Sequence, residues 1–200
     1  MNSRLTLTAA GIATVAMAGA AAAETLTVSV DIAGIGYNAS GFTSLGGGFS
    51  GAEYADALIV SWGFSNVSAD VYFNEGSGYS NWASEARIGI LDFSVGDTAG
   101  DVYWTYANPF TANSGASTPG TYVNYTGGNF SSGDISSNGW TIGSEGDVEL
   151  VATTSWNDGT GLDAGVFTSG TAWVTIETIP APGALALLGL AGLAGGRRRR

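Results

Sequence analysis

Thr25-Leu26-Thr27-Val28-Ser29-Val30-Asp31-Ile32 alternates a polar residue with an aliphatic one along its whole length. Successive side chains of a β-strand point to opposite faces, so a period of two describes a strand with one dry side. Leu58-Ile59-Val60-Ser61-Trp62-Gly63-Phe64-Ser65 repeats the pattern, with Leu58, Val60, Trp62 and Phe64 expected on one face. Residues 70–74, 86–93, 101–107, 122–126, 147–155 and 171–177 read the same way. Between these runs stand Gly46-Gly47-Gly48, residues 113–120, Gly127-Gly128-Asn129 and residues 136–139, whose Gly, Asn and Ser content marks turns and loops. No stretch of helical period long enough for a helix interrupts residues 24–178, and no internal repeat is present. Eight or nine short strands there predict an all-β fold, an antiparallel two-sheet β-sandwich of jelly-roll type. Trp62 and Trp104 are expected in its core.

The composition removes several chemistries. The chain has no Cys and no His, and a direct reading finds no Lys. Ser-His-Asp triads, thiol nucleophiles, Cys/His zinc sites and lysine Schiff bases each lack a required residue. The formal net charge is −11. Every acid lies between Glu24 and Glu177, where seventeen carboxylates face Arg87 alone, a formal −16 for that stretch. Nucleic acid needs a basic footprint, so it is excluded as a partner. A domain of this size buries enough apolar surface to fold without disulfides.

The two ends read as addresses. Residues 1–23 carry a basic residue, Arg4, then an apolar run, then Ala21-Ala22-Ala23, which is the order of a secretory signal peptide cut between Ala23 and Glu24. At the other end, residues 179–200 contain Pro180-Ala181-Pro182, an apolar stretch at 183–196, and Arg197, Arg198, Arg199 and Arg200. At about 1.5 Å per residue the apolar stretch reaches roughly 21 Å, short of a hydrocarbon core of about 30 Å. The four arginines after it supply a stop on the cytoplasmic side. Pro182 disfavours helix at the residue before it and so separates the stretch from the body.

This tripartite tail resembles the PEP-CTERM sorting signal of Gram-negative bacteria. Ala181 stands where that family usually has Glu. The resemblance implies a short transmembrane helix at 183–196, passage through the inner membrane, recognition by an exosortase-type sorting enzyme, and delivery to the cell surface or exopolysaccharide matrix. The expected domains are therefore a signal peptide at 1–23, a β-sandwich at 24–178 and a sorting tail at 179–200.

Within the body, Trp156-Asn157-Asp158-Gly159-Thr160-Gly161-Leu162-Asp163 is the densest polar cluster. Asn157, Asp158 and Asp163 are calcium candidates, because a hard cation takes six to eight oxygen ligands. An Asx turn between two strands accounts for the same residues, and no cofactor is required. Asp92, Asp97 and Asp101 form a second acidic group with the same two readings. No pair of carboxylates stands out for glycoside hydrolysis, and the body is read as non-enzymatic. Tyr79, Trp82, Tyr122, Tyr125, Trp140 and Trp156 fall in or beside polar stretches, where they either stack on sugars or serve as ordinary sheet aromatics. The functional expectation is an exported, surface-sorted protein of the envelope or matrix, structural or adhesive. The alternative is a surface-displayed carbohydrate-binding module of lectin-like jelly-roll type. Rings of Trp82, Trp140 and Trp156 aligned on one open face would favour the second.

Overall fold

The alternating runs form strands in a computed structural model that describes residues 23–92 and 104–179. The signal-like segment, the sorting tail with Pro180 to Arg200, and the acids Asp97 and Asp101 lie outside the described residues. Nine strands are described: β1 (Thr25–Asp31), β2 (Gly36–Tyr37), β3 (Thr43–Phe49), β4 (Leu58–Phe73), β5 (Ala86–Asp92), β6 (Trp104–Ala107), β7 (Thr121–Ser131), β8 (Val148–Thr154) and β9 (Gly165–Glu177). One sheet has the order β1-β9-β4-β7, with β2 also on β9; the other has the order β3-β8-β5-β6. All pairs are antiparallel. Leaving out the short β2, the chain shuttles between sheets so that its first and last strands pair, which is the jelly-roll topology.

The core lies between the sheets. Ile59, Trp62, Phe64, Val67, Ala69 and Val71 of β4 face Ile88, Ile90, Leu150 and Ala152 of the second sheet, all essentially closed to solvent. Burying a side chain of Ile, Leu or Phe size stabilises by about 1.5–3 kcal/mol. This cluster is therefore the main source of stability.

Strand β4 departs from the simple alternation. Residues 58–65 and 70–74 are not two strands but one, and the buried face changes parity along it. Ile59 is buried, then Trp62 and Phe64, then Val67, Ala69 and Val71. The register slips between Ile59 and Ser61 and again around Asn66, which has φ 53. Each bulge adds one residue and so exchanges the two faces. Leu58 and Val60 accordingly stay half-buried while Ile59 takes the dry position. Asn tolerates the left-handed region, and here its N–H is held by Asn129 Oδ1 at 2.9 Å.

Two glycine-rich segments expected as loops are strand. Gly46-Gly47-Gly48 lies inside β3, where the register shifts between Ser44 and Gly48 and Gly46 has φ 78. A Cβ on Gly47 would sit 2.3 Å from a methyl of Val30, so the missing side chain lets β3 close against β1. Gly127-Gly128-Asn129 continues β7. Trp62 is in the core as expected, but Trp104 is not. It pairs with Leu91, which alternates away from buried Ile88 and Ile90, and so lies on the outer face of the second sheet.

Candidate functional site

Pairing of β5 with β8 decides which loop aromatics meet. Ala86 stands opposite Thr154, and Ser155 N–H donates to Glu85 O at 3.0 Å. Trp82, just before β5, and Trp156, just after β8, are thereby brought to the same pole of the sandwich. Tyr79 joins them from the segment that follows β4. Its ring stands perpendicular to Trp156, centroids 6.2 Å apart at 88°. Tyr79, Ser80, Trp82, Glu85 and Trp156 line an open cleft of about 270 Å³. The three rings are 69%, 47% and 37% exposed for Tyr79, Trp82 and Trp156, a cluster of solvent-facing aromatic surface that folding alone does not call for.

Hydrogen bonds tie the loops of the cleft to one another. Asp158 is buried, and both of its oxygens accept hydrogen bonds: Oδ1 from Thr160 N–H at 3.1 Å and Thr160 O–H at 2.6 Å, Oδ2 from Asn74 Nδ2 at 2.9 Å and Asn81 Nδ2 at 3.3 Å. Asn74 also reaches Asp163 O, Asn81 reaches Tyr72 O, and Ser77 O–H donates to Tyr79 O at 2.7 Å. Desolvation alone would raise the Asp158 carboxyl, but the hydrogen bonds from Thr160 and Asn74 outweigh it and hold the group below its ordinary value. The backbone at Trp82 is pinned separately, its main-chain N–H donating to Glu85 Oε2 at 3.0 Å. The loops carrying the rings are thus cross-linked by a carboxylate and two amides, which limits the ordering cost of binding.

The calcium candidates sit in this network. Asn157 Oδ1 accepts Gly159 N–H at 2.9 Å, an Asx turn, and Asp163 Oδ1 accepts Asn38 Nδ2 at 3.3 Å. Asp163 also lies over Gly36, where a Cβ would come within 2.1 Å of Oδ2. The oxygens of Asp158 face N–H and O–H donors, whose positive ends oppose a cation. Among the described residues no cluster of three or more acidic side chains is placed to hold a metal. Of the second acidic group, Asp92 is described: it is buried and accepts Gly143 N–H at 2.7 Å. Adding calcium and then excess chelator is expected to move the melting temperature by less than about 2 °C, since Oδ1 of Asn157, Asp158 and Asp163 already accepts hydrogen bonds from within the protein. A fall of ten degrees on chelation, read by calorimetry, would restore Asp158 and Asp163 as ligands.

The remaining loop aromatics do not join the cleft. Trp140 packs against the core and Tyr125 is half-buried with its hydroxyl on Ser114 O at 2.8 Å. Tyr122 lies across from Tyr72 on the outer face of the first sheet. Two of the three tryptophans expected to mark a binding face therefore meet, with Tyr79 in place of Trp140. Sequence reasoning missed Glu85 and a second aromatic group on the outer face of the other sheet. There Phe42 meets Trp104 edge-on at 4.6 Å, Trp104 stacks on Tyr106 at 5.3 Å, and the Arg87 guanidinium lies 4.3 Å over Tyr106. A wider groove of about 420 Å³ follows the β3 bulge from Ser44 to Glu149, which are hydrogen-bonded to each other. Its lining includes three glycines, the carboxylates Asp147 and Glu149, and one aromatic, Phe49.

No protein-family model, curated protein or solved structure matches the chain.

Proposed function

We propose that the chain is an exported, surface-sorted and non-enzymatic jelly roll that binds saccharide through the Tyr79–Trp82–Trp156 cleft, giving it an adhesive role in the envelope or exopolysaccharide matrix. The observation that carries this reading is the convergence of three exposed rings on a cleft whose loops are tied together by hydrogen bonds to Asp158. Aromatic rings offer sugar C–H faces a large rigid surface at low entropy cost, and Ser80 and Glu85 supply polar contacts at its rim. Glu85 is the one carboxylate lining the cleft, whereas glycoside hydrolysis uses two. Export and sorting rest on the signal-like residues 1–23 and on the PEP-CTERM-like order of Pro180-Ala181-Pro182, 183–196 and Arg197 to Arg200. An exosortase and, in transit, the inner membrane are the partners that this order implies.

Charge selects the class of saccharide. A body at formal −16 with Glu85 in the cleft repels polyuronates and sulfated glycans, so the fitting ligand is an uncharged glycan. Affinity electrophoresis in gels containing a neutral β-glucan, a mannan or a polyuronate separates the cases. Retardation is expected in a neutral gel and absent in the polyuronate gel. Free migration through a full panel of neutral polysaccharides, or retardation by the polyuronate alone, would sink the proposal.

A further inference from the structure

Between Asp101 and Asp134 the sequence contains no charged side chain, in a body that otherwise carries seventeen acids. The fold turns this run into one side of the sandwich. It contains β6, the edge of the second sheet, and β7, the edge of the first. The chain between them crosses from one sheet to the other: Asn108 Nδ2 donates to Ser84 O at 2.7 Å and Ala86 O at 2.9 Å, and the Phe110 and Tyr125 rings lie 5.9 Å apart. A Cβ on Gly128 would lie 2.8 Å from Pro109 O, so the crossing segment rests directly on β7.

The first half of β7 is an open edge. From Thr121 opposite Phe73 to Tyr125 opposite Ala69 it is in continuous register with β4. In such a pair alternate residues turn N–H and C=O away from the partner, here towards solvent. Tyr122 is 58% exposed and Val123 38%. Edge strands are commonly guarded by lysine, proline, an inward charge or a bulge. Thr121-Tyr122-Val123-Asn124-Tyr125 has none of these within it, the register shift of β7 coming after Tyr125 and before Gly128, and Thr, Tyr and Val favour strand pairing. The opposite side is guarded: β3 carries its glycine bulge and β1 ends in Asp31.

We propose that the side edged by these uncharged strands is a self-association surface, on which β7 of one copy pairs antiparallel with β7 of a second copy about a two-fold axis, joining the first sheets of two sandwiches. The occupant is a second copy because of charge. Two bodies at formal −16 repel wherever their carboxylates face one another, and this side, whose two edge strands carry no charge and where the Asp70 carboxylate beside β7 accepts Asn124 Nδ2 at 2.8 Å, is where they approach at least cost. The segment is also suited to an isologous contact, in which each copy contributes the same strand. The inference rests on strand order and charge and is independent of saccharide binding.

The absence of cysteine makes the test clean, since any disulfide reports an introduced thiol. In the full chain, single substitutions Tyr122→Cys, Val123→Cys, Asn124→Cys, Tyr125→Cys and Thr126→Cys are compared with Ser29→Cys on the β1 edge after mild oxidation. A residue near the two-fold axis meets its own symmetry mate at a Cα separation of about 4.5–5.5 Å, within disulfide reach. A disulfide dimer is expected at one or two neighbouring β7 positions, falling off to either side, and not at Ser29. Light scattering on the unsubstituted full chain in mild detergent should show a dimer whose dissociation constant falls on the order of tenfold between 20 and 300 mM salt, as screening relieves the repulsion. A monomer at both salt concentrations, cross-linking no stronger than the Ser29→Cys control, or adducts only with other proteins would overturn the proposal.

Discussion

Replacing Asp158 by Ala is expected to lower stability by about 3 kcal/mol, the value of losing roughly two charge-assisted hydrogen bonds in a buried setting. The change leaves Thr160 N–H and O–H without their acceptor and takes one of two partners from the amide groups of Asn74 and Asn81. For a domain of this size the melting temperature should fall by roughly 6–12 °C. The effect has a pH signature. A carboxyl held below its ordinary value in the fold contributes stability that is fully present above the unfolded-state value and is lost as pH falls through the folded one. The gap between wild type and Asp158→Ala should therefore be widest at neutral pH, begin to narrow as the pH reaches 3.8, the ordinary value of the group, and go on narrowing as the pH falls through the lower folded-state value. Thermal melts of both proteins from neutral to acid pH read this directly. A variant melting within about 2 °C of wild type at neutral pH would remove the network as the link between the loops of the cleft.

Removing both tryptophan rings should abolish saccharide binding and spare the fold. Truncating a central aromatic anchor costs on the order of 2 kcal/mol, about a thirtyfold loss in affinity. Trp82→Ala and Trp156→Ala are each expected to weaken binding by about that factor, and the double variant to migrate freely in the neutral gel. Because neither ring belongs to the core cluster, the melting temperature should stay within about 2 °C of wild type. Trp156→Phe keeps a flat face beside Tyr79 and should retain most of the affinity. Binding of the double variant within threefold of wild type would place the saccharide elsewhere, with the Phe42–Trp104–Tyr106 group the next surface to alter.

What could be read from the sequence divides along the same physical lines. Alternation in Thr25 to Ile32 survives folding because β1 has no bulge against β9. In β4 the same rule named the segment as strand but misassigned Leu58 and Val60 over Ile59, because bulges reverse the faces and leave no compositional trace apart from Asn66. Gly46-Gly47-Gly48 looked like a turn since glycine serves turns and close approaches alike, and only the position of Val30 separates the two. In β6 the small residue Ala107 packs on the core while Trp104 and Tyr106 face outward, the reverse of what size suggests. For the cleft, the six loop aromatics were legible as a set. Their division into three that converge and three that do not follows from the Ala86–Thr154 pairing, which joins distant parts of the chain. Asp158 was visible as a polar residue with oxygen to offer, but the amide donors that surround it come from Asn74 and Asn81, far off in sequence.

Strand β9 runs from the cleft pole, where Gly165 stands opposite Val71, to the opposite pole, where Glu177 stands opposite both Thr25 and Leu58. The chain leaves the sandwich at that second pole, with Thr178 N–H still bonded to Glu24 O at 2.9 Å. A pull exerted between a ligand in the cleft and whatever holds the C-terminal end is therefore directed along the length of β9. That strand is clamped by β1 on one side and β4 on the other, so its rungs are sheared together instead of being opened one at a time like a zipper. A strand paired along both edges in this way resists a lengthwise pull more than one at right angles to it.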